Sequence, residues 1–200
     1  MVCWKAISPR RRKPSRSAEH VPVVRSFAPI ADVSARVLIL GSMPGIESLH
    51  AKQYYAHPRN AFWRVMGELV GASPDMTYAA RTRRLKKAGI ALWDVLAACT
   101  REGSLDAAID ERSIIANDLV SFLAQHPRIR HVFFNGATAE RCFRVHVQPA
   151  LEAGALKLVR LPSTSPAHAA RSYTDKLRAW RVILEPLGAH KNNQIKQILI

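Results

Sequence analysis

Several things are scarce in this 200-residue chain, and each shortage excludes a class of protein. Its cysteines are three, Cys3, Cys99 and Cys142, scattered and without a Cys-x-x-Cys pair. Three such thiols build neither a disulfide framework nor the four-thiolate shell of an iron–sulfur cluster. A reduced, cytoplasmic chain is therefore expected. No apolar run approaches the ~20 residues that cross a bilayer, which excludes a helical membrane span. The Arg-rich start lacks the apolar stretch of a secretory signal and the apolar helical face of a transit peptide. Its eight histidines include no His-x-x-x-His pair with a carboxylate, so no metal site is expected. Acid is the most conspicuous shortage: 15 Asp and Glu stand against 30 Lys and Arg, for a net charge of +15.

Such an imbalance points to a polyanionic partner, nucleic acid first, but its location decides its meaning. The first 25 residues hold seven Lys and Arg against Glu19, and the last ten add Lys191 and Lys196. These ends account for about half of the excess and leave +7 on the body. Residues 1–30 read as a basic, disordered tail, because Arg, Pro and Ser dominate without periodicity. Residues 31–188 read as one domain, and 189–200 as a C-terminal tail with no assignable role. With 48% hydrophobic residues the body can build one packed core.

Along that body, apolar runs alternate with amphipathic stretches. Ala35–Leu40, Ile90–Val95, His131–Phe134 and Leu156–Leu161 read as buried strands. Ala61–Val70, Thr77–Lys87, Ile114–Gln125, the stretch to Val147 and Ser172–Leu184 read as helices, and Ser42–Asn60 as one long loop. Strand–helix alternation predicts an α/β fold with three layers, α/β/α, around a central, mainly parallel sheet of four strands. In such sheets ligands gather beyond the carboxyl ends of the strands. Three chemically unusual loops leave those ends: Gly41 onward, Asn135-Gly136, and Leu161–Pro166.

Gly41-Ser42-Met43-Pro44-Gly45 lets backbone approach a ligand and turn N–H groups toward an anion. It is neither a P-loop nor a dinucleotide fingerprint. Two tyrosines, a His, an Arg and an Asn then crowd into Tyr54–Asn60. Ser163, Thr164 and Ser165, followed by His168, offer hydroxyls in a stiff turn, suited to phosphate oxygens. Phe62 and Trp63 read as core. Asp94, Asp106 and Asp110 read as exposed helix and loop acids, and Lys52 shows no sign of serving as an amine nucleophile.

Together Gly41–Gly45, Ala56-His57-Pro58-Arg59-Asn60-Ala61-Phe62-Trp63 and Leu161–Pro166 resemble the uracil-DNA glycosylase superfamily, and within it the hypoxanthine-DNA (deoxyinosine) glycosylase branch. The resemblance runs over roughly Arg36 to Leu187. Mismatch-specific uracil/thymine relatives share the G-x-x-P-G loop but carry Asn where this chain has Met43. Other uracil glycosylases carry a His in the last motif, where this chain has Ser163 and Thr164. Asn60 matches the position that the hypoxanthine branch uses for catalysis, and its amide also suits a cap for the helix that follows.

The resemblance implies a monofunctional hydrolase for base excision repair that needs no cofactor and acts as a monomer on double-stranded DNA containing a deaminated base. Tyr55 matches the stacking aromatic, and Met43 lies among the implied base contacts. Asn135 either reads the O6/N1 edge of the base or simply makes the Asn-Gly turn. Gly41, Ser42, Pro44, Gly45, His57, Ser163, Thr164, Ser165 and His168 are the implied DNA-backbone contacts. A mismatch-specific uracil or thymine glycosylase, and a DNA-binding module without catalysis, are the two rival readings.

Overall fold

In the stretch Val37-Leu38-Ile39-Leu40, every side chain is apolar and none is exposed, so the strand needs cover on both faces. The computed structural model, which describes residues 21–188, supplies it. In chain order the strands are β1 (Val23–Arg25), β2 (Val37–Gly41), β3 (Ile90–Asp94), β4 (Leu96–Thr100), β5 (Ile115–Ala116), β6 (His131–Asn135) and β7 (Lys157–Leu161). The helices are α1 (Ile46–Ala51), α2 (Phe62–Val70), α3 (Tyr78–Lys87), α4 (Leu119–Gln125), α5 (Ala137–His146) and α6 (Tyr173–Trp180).

A four-stranded, all-parallel sheet runs in the order β3-β2-β6-β7. Because successive side chains point to opposite faces, Val37, Ile39 and Phe133 pack with Phe62, Met66, Leu85 and Trp180 from α2, α3 and α6. Leu38, Leu40, Val132 and Phe134 pack the other way, onto Leu119, Phe122, Cys142 and Phe143 from α4 and α5. The three layers are those the strand–helix alternation predicts. Gly41 pairs with Asp94 and Asn135 with Leu161, so all four strands end along one edge. That edge carries the site.

Four local readings change. Residues 21–30 belong to the fold rather than to a tail: β1 pairs antiparallel with β4, from Val23 opposite Thr100 to Arg25 opposite Ala98. Phe27 then meets Tyr54 edge to face, with ring centroids 5.2 Å apart. The remaining tail segments, 1–20 and 189–200, lie outside the described residues. The helix expected from Ile114 begins only at Leu119, because Asp118 accepts the Ser121 N–H as its cap (3.0 Å) while Ile115 and Ala116 pair with β4. The loop expected over Ser42–Asn60 contains α1, whose first turn is tied down by Ile46 N–H donating to Ser104 Oγ (2.9 Å). The last helix ends at Trp180 and tightens into a 3-10 turn over Arg181–Leu184.

Helix α6 anchors the final loop. Trp180 Nε1 donates to the Pro162 carbonyl (3.0 Å), and Lys176 Nζ donates to the His168 carbonyl (2.9 Å). Burial pushes the Lys176 ammonium pKa down. Ser172 caps this helix by accepting the Asp175 N–H at 3.1 Å. Ser172→Ala is expected to lower stability by about 1 kcal/mol in a urea titration, a typical loss for a removed cap.

Candidate active site

Above the carboxyl edge of the sheet lies a cavity of about 740 Å³, within the size range of small-ligand sites. Every residue singled out from the sequence lines it except Thr164: the whole Gly41–Gly45 loop, Tyr55, His57, Asn60, Asn135, Ser163, Ser165 and His168. Four segments deliver them: the end of β2 with its loop, the stretch between α1 and α2, the end of β6, and the loop after β7.

The Gly41–Gly45 loop is held from beneath. The buried Arg101 guanidinium donates to the Pro44 carbonyl, and its Nε donates to the Gly103 carbonyl (3.0 Å). Ser42 Oγ donates to Asp106 Oδ1 (2.8 Å), which occupies the hydroxyl proton that the sequence reading assigned to DNA. Met43 lines the cavity yet packs into the core with Leu40 and Phe134.

Tyr54 and Tyr55 part company. Tyr54 is core: its carbonyl accepts the Trp63 indole N–H (2.8 Å), and its hydroxyl lies 3.3 Å from the carbonyls of Phe27 and Ala28. Tyr55 turns into the cavity through a left-handed backbone (φ 55), which a bulky residue adopts only under constraint from its surroundings. Its ring stacks on Phe62 with centroids 4.0 Å apart, so the core backs one face of it.

Asn60 lines the cavity just before α2. Its N–H donates to the His57 carbonyl (2.8 Å), and its Oδ1 accepts the Phe62 N–H (3.0 Å). The first bond fixes the backbone; the second holds the side-chain amide by its oxygen and leaves both of its N–H groups and one lone pair free. The next residue ties this loop to the last motif, since Ala61 N–H donates to the Thr164 carbonyl (3.0 Å).

Asn135 ends β6. Its Nδ2 donates to Thr164 Oγ1 (2.8 Å), and its Oδ1 accepts the Thr164 N–H (2.8 Å). Thr164 is 1% exposed and spends both groups here, so it is a structural strut and not the surface contact expected of it. One N–H and one lone pair of the Asn135 amide stay available to the cavity. Beside it, Gly136 has φ 105, and an added Cβ would stand 3.0 Å from the Cβ of Ser163, so only glycine lets the two loops touch.

Three acidic or hydroxyl groups of the wall escaped the sequence reading. Asp94, taken for an exposed acid, is 3% exposed at the end of β3 and accepts Ser26 Oγ–H at 2.7 Å. Burial pushes its carboxyl up to about 7. Burial, and then Asp94, push the Tyr55 phenol far above its ordinary value. Ser104 and Asp106 arrive from the loop after β4. Position supplied the missed signal: Asp94 is the last residue of a strand whose neighbour ends in Gly41.

Comparison with known proteins agrees with this geometry. The family model of the uracil DNA glycosylase superfamily matches residues 28–185. The chain belongs to the uracil DNA glycosylase superfamily. A hypoxanthine DNA glycosylase from Methanosarcina acetivorans is 37% identical over 147 residues, 73% of this chain and 89% of that protein. Another, from Methanosarcina barkeri, is 39% identical over 113 residues, 56% of this chain and 70% of that protein. The solution NMR structure of a candidate uracil DNA glycosylase from Methanosarcina acetivorans superposes with a TM-score of 0.66 at 32% identity. It covers 82% of this chain and 99% of that one. The shared fold is the three-layer α/β/α architecture described above.

Proposed function

We propose that this glycosylase removes hypoxanthine from deoxyinosine in double-stranded DNA by hydrolysing the N-glycosidic bond of the flipped nucleotide. The observation that carries the reading is the Asn60 amide, held by Phe62 N–H in a cavity that is also lined by the loop whose third position is the apolar Met43. A thioether cannot orient water, so the water-handling group of this site is Asn60. Relatives at 37% and 39% identity bear the name hypoxanthine DNA glycosylase, which favours the same substrate here.

The mechanism follows from the free valences. The target nucleotide leaves the stack and enters the cavity, where the ring of Tyr55, backed by Phe62, offers it an aromatic face. The unspent N–H of Asn135 donates to O6 of hypoxanthine, and its unspent lone pair accepts N1–H. Adenine reverses both polarities and meets donor with donor. The Asn60 amide holds a water against C1′, and its oxygen draws on that water's proton as positive charge builds on the sugar.

Ser163 and Ser165 retain hydroxyl protons for phosphate, because both oxygens serve as acceptors within the turn. His57, His168 and the backbone of Gly41–Gly45 complete the strand contacts in this reading. Among the described residues no helix is long and apolar enough to cross a membrane. We place the enzyme in the cytoplasm, acting on DNA as a monomer.

The test is direct. The full chain is incubated with labelled duplexes carrying a single inosine, uracil, xanthine or mispaired thymine, and abasic sites are then cleaved with alkali. A product from inosine is expected. Cleavage confined to G·U or G·T duplexes would replace the substrate with a mismatched pyrimidine, and salt-dependent binding without any released base would replace catalysis with a binding role.

A further inference from the structure

Large apolar side chains left open to water are few among the described residues, and two of them, Ile46 (38% exposed) and Leu105 (59%), line the cavity. Neither packs into either of the two cores. The turn that carries Leu105 is held at four successive residues. Arg101 Nε donates to the Gly103 carbonyl (3.0 Å), and Ser104 Oγ accepts the Ile46 N–H (2.9 Å). The Leu105 carbonyl accepts the Ala108 N–H (3.0 Å), and Asp106 Oδ1 accepts the Ser42 hydroxyl (2.8 Å). A lone exposed leucine is ordinary on a protein surface. One fixed in place on the border of a ligand-sized cavity, on a turn bonded to the segment of a second exposed apolar residue, is a contact surface.

The charge of this border says what it meets. Residues 102–106 contain no cation, Glu102 and Asp106 flank Leu105, and Glu47 follows Ile46. Acidic groups repel phosphates, so this stretch is unsuited to track the DNA backbone. An apolar side chain set between acids suits the uncharged faces of stacked bases.

We propose that Leu105 is the wedge that enters the duplex and occupies the gap left by the flipped nucleotide, with Ile46 as the apolar shoulder beside it. This rests on the reading of the cavity as the receptacle of a flipped nucleotide. Drawing a nucleotide out of the stack deprives its neighbours of their stacking partner and opens their ring faces to water. Apolar side chains inserted between base steps cover such faces and hold the duplex open. Because hydrogen bonds fix the turn before DNA arrives, little conformational freedom is lost on insertion. The turn over Ser163–His168 has no side chain for the task, since Pro166 is half-buried and Ala167 is too short to span a base step.

Two oligonucleotides separate a wedge from a merely structural leucine. One is a duplex with a single inosine, and the other is the same inosine strand alone, which has no paired stack to open. Leu105→Ala is expected to lose roughly tenfold in single-turnover excision from the duplex and to match wild type on the single strand. Leu105→Met, which keeps the length and apolarity of the side chain, is expected to restore most of the duplex rate. Ile46→Ala is expected to lose less than Leu105→Ala. An equal loss on both oligonucleotides, a Leu105→Ala rate on duplex equal to wild type, a Met variant as slow as Ala, or a larger loss at Ile46 would each overturn the assignment.

A second readout needs no bond cleavage. With 2-aminopurine placed next to the inosine, binding of the wild-type chain is expected to raise its fluorescence as the stack opens, and Leu105→Ala to raise it less. A wild type that releases no base from either inosine oligonucleotide sinks the hypoxanthine reading alone. The fluorescence measurement, repeated with uracil, xanthine or mispaired thymine in place of inosine, then judges Leu105. No difference between wild type and Leu105→Ala on any of these duplexes would overturn the wedge.

Discussion

Asn60→Ala is expected to lower hypoxanthine excision by about 1,000-fold while leaving duplex binding within a few-fold of wild type. Two roles meet in this side chain, and a pair of variants separates them. Asn60→Ala removes both the amide proposed to hold the water and the bond to Phe62 N–H that starts α2. Asn60→Asp keeps an oxygen for Phe62 N–H but deletes the two amide N–H groups and brings a negative charge beside the DNA. If Asn60 served only as a cap, Asn60→Asp would restore the rate, because Asp caps helices as well as Asn does. The chemistry described here requires it to stay low. Single-turnover excision, with a denaturation curve for each variant, decides between the two, since losing the cap costs only about 1 kcal/mol.

Gly41→Val should be the most disruptive change at the sheet edge. The first atom of any side chain there would overlap Asp94 Oδ1, which cannot retreat without leaving Ser26, and would crowd the Tyr55 hydroxyl. Backbone strain plays no part; the penalty is overpacking in a closed site, typically 1–3 kcal/mol. Loss of the Asp94 hydrogen bond adds to it. We expect a fall of about 3 kcal/mol in a urea titration, and excision reduced beyond what Gly41→Ala produces. A Gly41→Ala variant with wild-type stability and rate would show that Asp94 and Tyr55 have room to move apart, contrary to the arrangement described.

All four central strands could be read from Val37–Leu40, Ile90–Val95, His131–Phe134 and Leu156–Leu161, because a parallel strand covered on both sides is largely apolar. The same economy made the site legible. Once strands and helices alternate, the loops after Leu40, Phe134 and Leu161 must lie together, and their glycines, tyrosines, asparagines and hydroxyls declare an uncharged recognition chemistry. What stayed hidden depends on pairings distant in sequence. Val23–Arg25 carries no pattern of its own and becomes a strand only because β4 offers an edge some 75 residues later. Ile115 and Ala116 surrender helical periodicity to the same strand. Asp94 looks like any loop acid until the register places it opposite Gly41. Thr164 shows the converse: its hydroxyl fits a phosphate contact in sequence, yet Asn135 claims both of its polar groups.

That last pairing has a dynamic consequence. Asn135 donates with Nδ2 and accepts with Oδ1, so its side chain presents to Thr164 the same donor and acceptor that a neighbouring strand would. Thr164, three residues past the end of β7, is thereby treated as one more rung of the sheet, and its carbonyl passes the restraint on to Ala61 beside the Asn60 amide. The Thr164 amide is accordingly expected to exchange its hydrogen with solvent as slowly as an interior strand residue, even though it sits in a connecting loop. An enzyme built this way meets its nucleotide with the recognition surface already set, and the motion needed for encounter falls to the DNA.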